Sequence, residues 1–137
     1  MTAAAGLSRI HQISMRVHDV DRAVSFYRDT LGIPFLFAAP PRLAFFDCNG
    51  VRLMLSTPEP GFDHPGSVVY FAVDEIGTAH AALEARGVTF IGEPHKIATL
   101  GDREVWLAEF TDTEGNSLAL MSEPKVQRPQ PDLASSA

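Results

Sequence analysis

Cysteine is nearly absent: the 137 residues include one, Cys48. An internal disulfide is therefore excluded, and a reducing cytoplasm is the expected location. Basic residues are also scarce, 11 Lys and Arg against 17 Asp and Glu for a net charge of −6. That argues against a nucleic-acid partner, because phosphate binding needs a basic face. No apolar run approaches the roughly 20 residues needed to cross a bilayer, so no membrane partner is expected. The first nine residues lack the charged and apolar regions of a signal peptide. None of the histidines His11, His18, His64, His80 and His95 is spaced as a metal pair. There is no nucleophile elbow, phosphate-binding glycine loop or Cys–His pair. The remaining composition, 45% hydrophobic and 20% charged, suits a globular chain of one domain or two half-domains.

What is present is a unit used twice. Residues 14–32 (SMRVHDVDRAVSFYRDTLG) and 70–87 (YFAVDEIGTAHAALEARG) each read as a short strand, a capping Asp, a helix and a terminating Gly. Val17 to Val73 is 56 positions, and Gly32 to Gly87 is 55. In the first half, residues 9–17 alternate as a strand, and Val20, Ala23, Val24, Tyr27 and Leu31 form a helical stripe. Strands follow at 34–39, 42–48 and 51–56, the last two joined by the hairpin signal Asn49-Gly50. The Pro- and Gly-rich stretch 57–66 is a linker. The second half gives a strand at 67–73, a helix at 74–86, and strands at 88–92, 103–111 and 116–122. Gly32 to Gly50 is 18 positions, whereas Gly87 to Gly115 is 28. The surplus falls at 93–102, a candidate lid. Residues 123–137 are expected to be a disordered tail. The fold class is α+β: one domain of two βαβββ modules, residues 9–56 and 67–122, forming a curled mixed sheet around a cleft.

This duplicated unit, with its RVHDVDRAVSFYRDTLG stretch and the late turn Asp112-Thr-Glu-Gly-Asn116, resembles the vicinal oxygen chelate superfamily. That family includes glyoxalases, bleomycin-resistance proteins and extradiol dioxygenases. In its metal-using members four strands each offer one ligand, and the corresponding positions here are Gln12, Met54, Val68 and Ala119. Gln12 can ligate. The other three offer no hard oxygen or imidazole donor, so no metal and no cofactor is expected.

Strand alternation then sets the cavity wall: Gln12, Ser14 and Arg16; Arg52, Met54 and Ser56; Val68, Tyr70 and Ala72; Ser117, Ala119 and Met121. Aligning the Asp112 turn with fosfomycin-resistance enzymes adds Val105, Leu107 and Glu109, and the strand before Pro40-Pro41 adds Phe35 or Phe37. A mostly apolar wall with a few convergent polar groups suits a small molecule; the alternative is a face filled by a dimer partner or collapsed on itself. Glu109 on such a wall needs a partner, Arg52 or Arg16, or a raised pKa. His95, on the surplus loop, is the histidine placed to cover the cavity.

Three functions stay open. The first is a metal-independent binding protein of the bleomycin-resistance type holding an aromatic or amphipathic ligand. Its contacts would come from Gln12, Ser14, Arg16, Phe35, Phe37, Arg52, Met54, Ser56, Tyr70, Leu107 and Met121. The second is a metal-free isomerase or lyase using Glu109 and His95 as acid and base. The third keeps a weak metal site at Gln12. A homodimer is expected, as in many members of the superfamily.

Overall fold

The computed structural model describes residues 7–58 and 66–126. Most of the expected linker 57–66, including His64, and the tail from residue 127 lie outside the described residues.

The first module runs β1 (Gln12–Arg16), α1 (Val20–Val24) continuing as a π-helical segment (Ser25–Thr30), β2 (Phe35–Ala39), β3 (Leu43–Cys48) and β4 (Val51–Ser56). The second runs β5 (Val69–Ala72), α2 (Ile76–Ala85), β6 (His95–Leu100), β7 (Arg103–Thr111) and β8 (Ser117–Ser122). Each makes a four-stranded mixed sheet, β1-β4-β3-β2 and β5-β8-β7-β6, in which only the first pair is parallel. Each module thus contributes one mixed sheet, and the two sheets share a topology, as the duplicated βαβββ unit implies.

One face of each sheet carries a helix. Met15, Phe46 and Leu53 from the first sheet and Ala108, Phe110 and Leu118 from the second belong to one buried cluster, so the modules share a core. The opposite face of each sheet carries no helix and is here called the open face.

The unequal spacing of the repeats has a structural cause. Asp19 caps α1 by accepting from the Arg22 N–H at 3.0 Å. The helix then widens at Ser25–Thr30, and the Leu31 N–H reaches the Phe26 carbonyl at 2.9 Å, an i→i−5 bond. A π segment absorbs one inserted residue, which accounts for the change of offset from 56 to 55 along the helix. α2 has no such segment, and its N-cap is Glu75 rather than Asp74, without a side-chain bond.

The second difference corrects the expected strand 88–92 and the expected lid. Val88 is buried under α2, and Phe90 makes a single bridge to Phe110. Gly92, at φ +85°, and Pro94 then interrupt the chain. The edge strand forms only at His95–Leu100, paired antiparallel with β7. The surplus residues are therefore a crossing segment, a nine-residue β7 against a six-residue β3, and a wider final turn. Residues 123–126, placed in the tail by the sequence, return to β7: Arg103 bridges Lys125, and the Val126 N–H donates to the Asp102 carbonyl at 2.6 Å.

The modules are latched where the Asp112–Asn116 turn meets the start of α1. Tyr27 Oη donates to Asp112 Oδ2 at 2.6 Å. Asp112 Oδ1 accepts from the Glu114 and Asn116 N–H groups at 2.8 Å each. Asn116 Nδ2 donates to the Arg16 carbonyl at 2.7 Å. Glu114 Oε1 accepts from the His18 and Asp19 N–H groups at 2.8 and 2.9 Å, and its Oε2 from Arg22 Nε at 2.7 Å. Burial would raise the Glu114 pKa, but the bonds from Arg22, Thr113, Asp19 and His18 outweigh it and hold the carboxyl at about 2. Tyr27 is pushed well above its ordinary value, first by burial and then by Asp112. It stays a donor at any ordinary pH.

Candidate functional site

Strand register decides which expected residues share the open face. In the first sheet Gln12 pairs with Arg52, Ser14 with Met54, and Arg16 with Ser56; β3 sets Phe45 beside Met54, and β2 sets Phe37 beside Phe45. Cross-strand partners point to the same side of a sheet, so these residues form one surface.

Its polar end is held by Gln12. Arg52 Nε donates to Gln12 Oε1 at 2.7 Å, and Gln12 Nε2 lies 3.7 Å from Met54 Sδ. Thus fixed, the Arg52 guanidinium sits 5.4 Å from the Phe45 ring centroid, within cation–π range. Phe45 stacks on Phe37 at 4.6 Å with 28° between planes. Phe37 ends the row, 49% exposed. The arrangement is a row of π surfaces with a cation at one end and an accessible ring at the other.

Phe35 does not belong to it. A register irregularity between Phe35 and Phe37 puts Phe35 opposite Phe46 on the helix side, where the rings meet edge-on at 5.4 Å and Arg28 lies over Phe35. Phe45, absent from the sequence reading, takes its place. The available signal was the alternation of Phe45 with buried Ala44 and Phe46.

On the second sheet Leu107 pairs with Met121, Glu109 with Ala119, and Ala119 with Tyr70. Val105, Leu107 and Ala119 form a buried floor. Tyr70 is half-exposed, and so is the side chain of Glu109. The β6–β7 register sets His95 opposite Leu107, on the same side. His95 Nε2 lies 3.8 Å from Glu109 Oε1. The expected partner of Glu109, Arg52 or Arg16, is therefore corrected: among the described residues the side chain brought within 4 Å of its carboxylate is His95. Arg52 is turned to Gln12, and the half-buried Arg16 lies beside Ser56. His95 reaches Glu109 from a strand, not from a lid.

The other described histidines stay apart from this face. His80 is the buried residue of α2, packed on Phe90 at 4.2 Å with the rings tilted by 46°, and with Nε2 3.6 Å from Glu93. His11, expected to pack toward a helix, is exposed before β1.

The four positions that hold metal in relatives do not fit a hard cation. The Gln12 amide is engaged by Arg52 and Met54, Met54 offers a thioether, and Val68 and Ala119 offer no donor. Among the described residues no three His, Cys, Asp or Glu side chains cluster. No helix among them is long and apolar enough to cross a membrane.

Comparison with known proteins agrees with this architecture. An antibiotic-binding protein, TnmS3 from Streptomyces sp. CB03234, superposes with a TM-score of 0.74 at 23% identity, over 88% of this chain and 100% of that one. A lactoylglutathione lyase from Agrobacterium tumefaciens superposes with a TM-score of 0.70 at 22% identity, over 85% and 94%. YraH, an uncharacterised protein of Bacillus subtilis (strain 168), is 24% identical over 82% of this chain and 96% of its own. Residues 9–120, nearly the whole described fold, match one family, and the chain belongs to the Glyoxalase/Bleomycin resistance protein/Dioxygenase superfamily.

Proposed function

We propose that this protein binds a flat aromatic small molecule on its open face without a metal. The observation that carries the reading is the Arg52–Phe45–Phe37 row, which ends in a half-exposed ring. An aromatic ligand extends such a stack at little cost, because the rings are already ordered by the sheet. Ser14 and Met54 supply further contact area on that face, with Arg16, Ser56 and Arg52 as polar groups, while Tyr70, Leu107 and Met121 lie on the open face of the other sheet. The antibiotic-binding relative supports a sequestering role. The reading includes a cytoplasmic homodimer. The single cysteine favours the first. The exposed apolar edge strand β2, with Phe35, Leu36 and Phe37 at 36–49% exposure, favours the second.

The test is equilibrium dialysis against a panel of planar aromatic compounds. A binding protein returns its ligand unchanged by mass spectrometry. Phe37→Ala is expected to weaken binding by roughly three- to tenfold, the size of one stacking contact. Binding unaffected by both Phe37→Ala and Arg52→Ala would contradict the reading.

The His95–Glu109 pair favours a second reading, a metal-free isomerase or lyase. There His95→Ala or Glu109→Gln would lower turnover about a hundredfold or more with the fold intact. Recovery of an unaltered ligand from the wild-type protein excludes it for that compound.

A further inference from the structure

The modules meet at a second place, related to the latch by the internal repeat. The β3–β4 hairpin of the first module approaches β5 of the second, as the Asp112–Asn116 turn approaches β1. Here the contact is not closed. A cavity of about 680 Å³ lies between residues 47–51 and β5, walled by Ile13, Ile33, Val51, Leu53, Val69 and Phe71. A smaller one of about 290 Å³ under α2 shares the walls Ile33 and Phe71.

Gly50 aligns with Gly115, which sets Asp47 against Asp112 and Asn49 against Glu114. The helix offset of 56 sets Thr78 against Arg22 and Leu83 against Tyr27. Glu114, Arg22 and Tyr27 of the latch thus have shorter counterparts, while Asp47 keeps the carboxylate of Asp112. The turns differ as well. Asn49 and Gly50 both have positive φ, in a two-residue loop that projects no side chain like that of Glu114.

We propose that this junction is a second ligand site, separate from the open face, for a compact, uncharged, mainly apolar molecule. The larger space falls in the size range of small-molecule sites. Its walls are held open by sheet register, and Leu53 is buried in the shared core. Asp47 Oδ1 accepts from the Gly50 N–H at 2.9 Å, and this carboxylate disfavours an anion. The Cys48 thiol on the wall is pushed up in pKa by burial and then by Asp47, so it remains neutral. An apolar space of this kind binds apolar molecules better than water.

The full-length protein is titrated with 1-adamantanol, a compact neutral molecule with no aromatic ring. Saturable binding is expected, with amide NMR shifts concentrated at Ile33, Val51 and Phe71. Val51→Trp and Ile33→Trp, each confirmed as folded by cooperative melting, should weaken binding roughly tenfold or more by filling the space. Phe37→Ala should leave adamantanol binding unchanged while weakening the aromatic ligand of the open face, so the two sites fail independently. Three outcomes would overturn the proposal. One is absence of saturable binding, as when another stretch of the chain or a second copy fills the space. Another is binding lost in Phe37→Ala but kept in both Trp variants. The third is NMR shifts confined to the open face of the wild-type protein.

Discussion

The two junctions between the modules use the same repeat to opposite ends. At one, Asp112, Glu114 and Asn116 close onto Tyr27, Arg22 and the backbone of residues 16–19. At the other, Asp47, Asn49 and Val51 face Val69 and Phe71 across open, mainly apolar space. Duplication supplies two equivalent contacts, and one polar latch is enough to join the modules. The other is then free to lose its polar groups, and a cavity results. The π segment belongs to the same difference. It lies in the latched helix and carries Tyr27 toward Asp112.

The largest expected difference comes from removing the two aspartates. Asp112→Ala strands the Tyr27 hydroxyl, two backbone N–H groups and the Asn116 amide, and should cost about 3–5 kcal/mol in urea unfolding. Asp47→Ala loses one N–H partner in an exposed turn and should cost under about 1 kcal/mol. Equal costs would break the comparison.

Glu114 sharpens it through pH. Its folded pKa is lowered from 4.5 to about 2. The stability it contributes is therefore complete above the unfolded value and is lost as pH falls through about 2. Glu114→Gln should cost roughly 2–3 kcal/mol at neutral pH and flatten the acid limb between about 4.5 and 2. Melting curves of the two proteins across that window read the effect. The equivalent Asn49→Gln should leave the limb unchanged.

Tyr27→Phe should cost about 1–2 kcal/mol, since Asp112 keeps three other donors. The smallest effect is a gain. Ala82→Leu extends an apolar side chain into the 290 Å³ cavity at little cost in helix propensity and should raise stability by up to about 1 kcal/mol, read as melting temperature.

Much of this was legible in the sequence because it is periodic. Alternation located β1, the Asn49-Gly50 signal located β3 and β4, and the Asp112–Asn116 turn separated β7 from β8. The 56-to-55 offset recorded the π segment before its geometry was known. Other features resist such reading because they depend on contacts distant in sequence. The bulge that sends Phe35 to the helix side leaves no mark in the alternation of Phe35 and Phe37. β6 begins at His95 rather than Val88 because Phe90 packs on His80 and Phe110, and a short apolar run does not announce its partners. Phe45 was hidden between two core residues of its own strand. Glu114 reads in the sequence as one residue of a turn, and only the structure gives it Arg22 as a partner.

Native-state amide hydrogen exchange compares the junctions most directly. The His18 and Asp19 amides donate to Glu114 across the latch. Their repeat counterparts, Asp74 and Glu75, have no such acceptor among the described residues. Protection at His18 and Asp19 should approach the global unfolding free energy, while Asp74 and Glu75 exchange at least a hundredfold faster, a difference of about 2.7 kcal/mol. Equal protection at the two pairs would contradict an account in which one junction is latched and the other open.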